Sequence, residues 1–377
     1  VKLTIDVAAT DGAARTGTIT TPRGDLPTPL FMPVGTRAAV KALSSVDVAD
    51  LGAPLMLANT YHLMMRPGAD LIADLGGIHR FMAWDGHVLT DSGGFQIFSL
   101  EPKVTEDGAR FRSTYDGTRH DLTPELAAQI QTKIGADIQM VLDVCPPLPS
   151  PDRVIRTAVD RTARWAERGR AAFLADAGWR EDRGLDQAQF GIAQGGIDAA
   201  MRAESAERTV AVGFDGYAIG GLSVGEKREE MLPALAAALE HLPADQPRYL
   251  MGVGDPISIV EAIGLGVDLF DCVLPSRHAR HGTILTSTGR LMIKNKIYER
   301  DEGPLDPDCS CAVCARWSRA YLRHLWRVGE PTAARLLTIH NVAWLSDLVV
   351  GLRTAIADGR FEAARREIVE TWSPASA

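Results

Sequence analysis

Cysteine is scarce and odd in number, five among 377 residues, which excludes the paired disulfide framework of a small secreted scaffold. Long apolar runs are missing as well: no stretch approaches the roughly 18 residues that a membrane-spanning helix needs. The opening VKLTIDVAATDG has neither the basic start nor the apolar stretch of a secretion signal, so the expectation is a cytoplasmic protein without a membrane partner. Low-complexity segments and internal repeats are absent too, which leaves solenoids and disordered linkers without support. What is present is a globular composition, 46% hydrophobic and 23% charged, on a chain long enough for a large core plus an appendage. The net charge of -8 by itself argues against a polyanionic partner, because an acidic surface repels phosphates.

After hairpin-like alternation in LTIDV and RTGTITTPRGDLPTPL, the chain settles into short apolar runs, each followed by a helical pattern. The runs are FMPVGT (31–36), PLMLANTY (54–61), HVLTDSGG (87–94), DIQMVLDVC (137–145), FGIAQGG (190–196), YAIGGLSVG (217–225), RYLMGVGDP (248–256) and DLFDCVLP (268–275). Between them lie stretches such as TPELAAQIQTKIG (123–135) and KREEMLPALAAALEHLP (227–243), with helical spacing and good start and stop residues. Eight strand–helix repeats across about 240 residues match a TIM (β/α)8 barrel, an α/β fold; an open doubly wound sheet is the competing architecture, since periodicity does not show closure. The expected organisation is a catalytic barrel with an N-terminal antiparallel cap over 1–275, a metal-binding basic subdomain over 276–345, and a helical segment over 346–377 that closes the barrel. From 273 to 335, eleven Lys or Arg stand against six Asp or Glu, a local balance of +5. Arg316, Arg319, Arg323 and Arg327 recur at helical spacing, which reads either as a solvated helix face or as a surface for a polyanion.

Three of the five cysteines sit in CSCAVC, residues 309–314. Cys309, Cys311 and Cys314 are soft donors too close together to bridge well with one another, and tetrahedral zinc takes four N or S ligands. Cys145 and Cys272 fall at the ends of expected barrel strands and are poorly placed to be the fourth. His340, ending a helical pattern just beyond the cluster, is the chosen partner; His324 is the rival on spacing, and three plain buried thiols are the bland alternative. A Cys3His set leaves no position open for water, so it would be structural, one ion per subunit.

In a barrel of this kind chemistry sits at the C-terminal ends of the strands. Those ends carry Asp91 with Ser92, Gly93, Gly94 and Phe95; Asp143 with Cys145; Gln194; Gly221 and Leu222; and Asp271. No phosphate-type glycine motif, GxSxG elbow or metal triad occurs in this set, so nucleotide transfer, serine hydrolysis and metallo-hydrolysis lose support. Two carboxylates across a site suit substitution at an anomeric carbon, one attacking and one handling the proton. A third carboxylate beside an amide suits a flat heterocycle: Asp143 can accept from a guanine edge, Gln194 and the Gly221 N–H can donate to its carbonyl, and Phe95 can stack on its face. Each aspartate alone also reads as a helix cap or a salt-bridged strand end. Together they point to glycosyl-type transfer on a guanine-like ring.

The segments TDSGGFQIFSL (90–100), GIAQGG (191–196), GGLSVGE (220–226), MGVGDP (251–256), FDCVLPSR (270–277) and CSCAVC with a distant His resemble the bacterial tRNA-guanine transglycosylases, the queuine tRNA-ribosyltransferase family, over residues 15 to 345. That resemblance implies a barrel with a zinc-bearing insertion that exchanges the wobble guanine of certain tRNA anticodon loops for a 7-deazaguanine, in queuosine biosynthesis. It makes Asp271 the nucleophile on the ribose and Asp91 the general acid/base, and assigns Ser92, Gly93, Gly94, Phe95, Asp143, Cys145, Gln194, Gly221 and Leu222 to the base. It further implies RNA contacts at Gly252, Val253, Gly254, Asp255, Pro256, Ile257 and Ser258 and at Ser276, Arg277, His278, Ala279 and Arg280, zinc on Cys309, Cys311, Cys314 and His340, and a homodimer. Two departures stand out. Val144 replaces the glutamate usual in bacterial members, and Ser223 is more typical of eukaryotic ones, so the 7-aminomethyl base is the first choice with the nitrile precursor and queuine behind it. Glu226 is expected either to adapt the neighbouring backbone to different bases or to serve as a plain helix-start residue. A DNA-directed deazaguanine transglycosylase and a non-catalytic RNA-binding partner subunit are the competing functions; intact Asp91 and Asp271 weigh against the second.

Overall fold

The computed structural model describes residues 3–373. Strands β1 (Ile5–Asp11), β2 (Ala14–Thr21) and β3 (Gly24–Thr28) form an antiparallel sheet at the N-terminus, as the alternation predicts. The barrel begins with β4 (Leu30–Gly35), β5 (Leu55–Ala58) and β6 (His87–Thr90). A second antiparallel sheet, β7 (Lys103–Val104), β8 (Ala109–Arg112) and β9 (Arg119–Leu122), interrupts it. The barrel resumes with β10 (Ile138–Met140), β11 (Ala188–Ala193), β12 (Gly216–Ile219), β13 (Arg248–Leu250) and β14 (Leu269–Cys272), and a hairpin of β15 (Thr283–Thr286) and β16 (Gly289–Met292) follows.

All eight expected runs are barrel strands, and the sheet is closed: β14 pairs parallel with β4 in the register Leu269–Leu30 to Cys272–Pro33, and β6 pairs with β10. An open doubly wound sheet is thereby ruled out. Every residue of β4, β5, β6, β10, β11 and β12 is buried, as expected of parallel strands covered on both faces. Helices start where the sequence supplies caps: Thr123 accepts from the Leu126 N–H ahead of Pro124, and Asp198 accepts from the Met201 N–H.

The β7–β9 sheet escaped the sequence reading. Its turn is legible in retrospect as Asp116-Gly117 between alternating residues, with Gly117 at φ +75°. The C-terminal organisation is also more continuous than the expected division at 345/346. Residues 281–330 form an insertion after β14, and one 27-residue helix, Pro331–Ala357, runs across that boundary. Its N-terminal half packs in the insertion through Leu336 and Leu337, and its later turns pack Leu345, Val349 and Leu352 into the barrel core. Of the four arginines read at helical spacing, Arg316 precedes the helix Arg319–Arg327. Arg319 is bound to Asp301 and to the Leu305 carbonyl, and Arg323 donates to the Asn295 carbonyl, so two of the four hold the insertion together.

One buried ion pair ties the N-terminal sheet to the barrel. Arg15 on β2 donates from Nε to Asp268 Oδ1 at 2.9 Å and from Nη2 to Oδ2 at 2.6 Å, while Asp268 also accepts from the Arg248 N–H at 2.8 Å. Burial nevertheless raises the Asp268 carboxyl above its ordinary pKa. Arg15→Ala strands that charge and is expected to destabilise the fold by about 3 kcal/mol in urea titration, with Arg15→Met plus Asp268→Leu recovering most of the loss.

Candidate active site

Asp91 follows β6 and is buried, 8% exposed. Its Oδ2 accepts from Asn59 Nδ2 at 2.5 Å, and its Oδ1 accepts from the backbone N–H of Thr60 at 2.7 Å and of Gly93 at 3.1 Å. Asp271, the third residue of β14, is 9% exposed, and its Oδ1 accepts from the Tyr249 hydroxyl at 2.5 Å and the Gly252 N–H at 2.7 Å. Both donors converge on the same oxygen, and among the described residues Oδ2 has no protein donor. Burial raises both carboxyls above the usual range; donors oppose the rise, and the charge of Asp91 adds to it at Asp271. Both stand at the C-terminal ends of strands of the one closed barrel. Tyr249 keeps its proton, since burial and the nearby Asp271 push its pKa well up.

Asp143, beyond β10, joins them. Its Oδ2 accepts from Gln194 Nε2 at 2.6 Å and its Oδ1 from Ser92 Oγ at 3.4 Å. Burial brings its pKa up to about 6, opposed by the Gln194 and Ser92 donors and helped by the charge of Asp91. Gly94 leaves no spare room here, since a Cβ at that position would stand 3.3 Å from Asp143 Oδ1. Gly221, at φ +64°, lies so close that an added Cβ would fall 2.1 Å from Gln194 Oε1, so only glycine fits. Phe95 is 62% exposed on the short helix Gly94–Phe98, free to face a ligand. Cys145 is half-buried with its thiol pushed up to about 12 by burial and by Asp143, which leaves it inert as a nucleophile. Leu222 is buried in the main core and offers the site its backbone rather than its side chain.

Sequence reasoning missed the residues that hold these groups. Asn59 and Thr60 bind Asp91, and Tyr249 binds Asp271; the ANTY ending of the second strand was the only available signal for the first pair. Arg202 is fully buried and donates to the carbonyls of Ala193 (3.1 Å), Gly196 (2.7 Å), Gly220 (2.6 Å) and Gly221 (3.0 Å). Burial lowers its pKa to about 10, so it remains charged at neutral pH. One guanidinium thus fixes the ends of β11 and β12 on either side of Gln194 and Gly221. Glu226 accepts from the N–H groups of Ser223 and Val224 and holds a turn in which Ser223 has φ +60°. It lies outside the helix Arg228–Leu239, so the helix-start role is not the one it plays.

The residues expected at an RNA face divide in two. Val253, Gly254, Pro256, Ile257, Ser258, Ser276 and Ala279 are buried, and Asp255 caps the helix Pro256–Gly264 while paired with Arg228 at 2.8 Å. Gly252 and Arg277 are exposed, and His278 and Arg280 are half-buried. The outward-facing members of the set are therefore Gly252 and, on the helix Leu274–Arg280 that follows β14, Arg277 with the half-buried His278 and Arg280.

The metal-type cluster assembles as expected. Ligand atoms of Cys309, Cys311, Cys314 and His340 all lie within 4.8 Å of one another. His340 Nδ1 stands 3.2 Å from Cys314 Sγ, and Nε2 lies 2.8 Å from the Leu285 carbonyl, a hydrogen bond that puts the proton on Nε2 and leaves Nδ1 as the ligand atom. Three thiols and one imidazole nitrogen match a closed tetrahedral site. The rival His324 is exposed on the helix Arg319–Arg327 and takes no part. No helix among the described residues is long and apolar enough to cross a membrane.

A closed (β/α)8 barrel with three buried aspartates at the strand ends and a Cys3His insertion after its eighth strand defines a class of base-handling barrel enzymes. The family model described as Queuine tRNA-ribosyltransferase matches residues 10–374, and this chain belongs to that family. It is 50% identical over 358 residues, 94% of each chain, to the queuine tRNA-ribosyltransferase of Desulforudis audaxviator. Proteins of the same name from Solidesulfovibrio magneticus and Novosphingobium aromaticivorans are 50% identical over 360 and 364 residues, covering 95% and 96% of each chain.

Proposed function

We propose that this chain exchanges guanine at the wobble position of tRNA for a 7-deazaguanine through a covalent Asp271–ribose intermediate, with the 7-aminomethyl base as first choice. The reading rests on one observation: Asp91, Asp143 and Asp271 are all buried at the C-terminal ends of strands β6, β10 and β14 of one closed barrel, each held by protein donors. The flipped nucleotide places its base against Asp143, Gln194 and the Gly221 N–H. The unoccupied Oδ2 of Asp271 bonds to C1′ as the C1′–N9 bond breaks and guanine departs with the electron pair. Hydrogen bonds from Tyr249 and Gly252 to Oδ1 favour the ionised carboxylate and oppose the rise that burial causes. Burial raises Asp91, which suits a group that gives a proton to the departing N9 and takes one from the incoming base. The second base displaces Asp271, and two inversions retain configuration at C1′.

Zinc fits Cys309, Cys311, Cys314 and His340, where it would pin the insertion to the long helix without entering the chemistry. The helix Leu274–Arg280, ahead of the insertion, then presents Arg277, His278 and Arg280 to RNA, the barrel carries catalysis, and a cytoplasmic homodimer completes the reading.

Labelled guanine should exchange into tRNA and be chased by each candidate deazaguanine, with DNA of the same sequence inert because it lacks the 2′-hydroxyl. Asp271→Asn should abolish the denaturation-resistant protein–RNA adduct; an adduct that persists moves the nucleophile elsewhere. Asp143 must be ionised to accept from the base, so KM for guanine should rise about tenfold per pH unit as pH falls below about 6, the value to which burial raises this carboxyl. Asp143→Asn should remove that acid limb; a limb that survives assigns it to another group. Metal analysis should find about one zinc per chain, with His340→Ala losing it; full occupancy in that variant would displace His340 from the ligand set.

A further inference from the structure

Two arginines at the barrel mouth have no anion to meet. Arg37 lies two residues beyond β4, and Arg66 ends the helix Thr60–Met65 that follows β5. Both are exposed, and both press on the ring of Tyr115, with the guanidinium carbons 5.3 and 4.9 Å from its centroid. Tyr115 stands in the turn between β8 and β9, and its hydroxyl shares a hydrogen bond of 2.9 Å with His62 Nδ1. Burial and the charge of Arg37 hold His62 below its ordinary pKa, which disfavours a third positive charge beside the pair and supplies no negative one. Among the described residues neither arginine takes part in an ion pair or a side-chain hydrogen bond, whereas Arg161, Arg164 and Arg168 near the same sheet are all matched to Glu106 or Glu125. The neighbouring Asp116 is turned away, accepting from the Thr118 N–H and hydroxyl. Two like charges drawn to one ring repel each other until an anion bridges them.

Barrel order gives the place its meaning. In the closed sheet β4 and β5 stand between β14, which carries Asp271, and β6, which leads to Asp91. Asp143, Gln194 and Gly221 follow β10, β11 and β12 on the opposite arc. A nucleotide with its base on that far arc and its C1′ between Asp271 and Asp91 sends its phosphates out over the β4 and β5 loops. We propose that Arg37, Arg66 and Tyr115 form a phosphate-binding station on the rim, which grips the RNA backbone next to the flipped nucleotide. The proposal rests on the transglycosylase reading above for the orientation of the nucleotide.

The test uses the whole protein with an anticodon stem-loop RNA, measuring both direct binding across a salt series and guanine exchange. The double variant Arg37→Ala/Arg66→Ala should bind the RNA about tenfold more weakly and lower the log–log salt slope by roughly 1 to 2, with the effect appearing in KM for RNA and not in KM for guanine. Arg37→Glu/Arg66→Glu should weaken binding further. A folded double variant with unchanged affinity and salt slope overturns the station. Millimolar inorganic phosphate separates the two sources of the anion: if phosphate binds the wild type and not the double variant while RNA binds both equally, the site holds free phosphate and the RNA assignment is wrong. If the wild type binds RNA through these arginines but exchanges no guanine, the station stands and the proposed chemistry falls.

Discussion

Three carboxyl groups held in one dry mouth are the constraint around which this molecule is built. Each loses hydration on burial, and Asp91 worsens the position of the other two. The structure offsets that cost with directed donors: Asn59, Thr60 and Gly93 on Asp91, Tyr249 and Gly252 on Asp271, and Gln194 with Ser92 on Asp143. The supply is uneven, and the unevenness has chemical content. Asp91 is engaged at both oxygens, while Asp271 is held at one and left open at the other. Similar side chains at similar depth are thereby left with different hydrogen-bonding environments.

Buried arginines carry the same logic into the scaffold. Arg202 collects four carbonyls at the ends of two adjacent strands, where the chain turns sharply through Gly195, Gly196 and Gly221 at positive φ; the Ala193 carbonyl also accepts from the Gly220 N–H. Arg15 does the corresponding task at the other end, joining the N-terminal sheet to the β14 entry. The rim arginines Arg37 and Arg66 differ in kind, because they are exposed and, among the described residues, take part in no ion pair.

Much of this was legible before any coordinates. Eight apolar runs marked eight barrel strands, because parallel strands covered by helices are buried on both faces and read as continuous hydrophobic stretches. The dense CSCAVC spacing marked a metal-type cluster, since burial alone gives thiols no reason to crowd. The β7–β9 sheet was not read, because its short strands, with some exposed residues, lack the apolar signal that marks the barrel. The expected RNA face was too generous for the opposite reason: a motif names neighbours in sequence, and along Val253 to Ser258 most of those neighbours are packing residues.

The sequence by itself determined the order of strands, the chemistry of the residues at their tips, and the cysteine set. Local pattern suffices for these because period, caps and ligand softness are properties of short segments. Only the tertiary structure decided that the sheet closes, that His340 and not His324 completes the cluster, and that Asn59, Tyr249 and Arg202 hold the site. Each of those outcomes depends on groups far apart in the chain meeting at hydrogen-bond or ligand distance. Spacing along a sequence does not carry that distance; the closed barrel does, by bringing its first and last strands side by side.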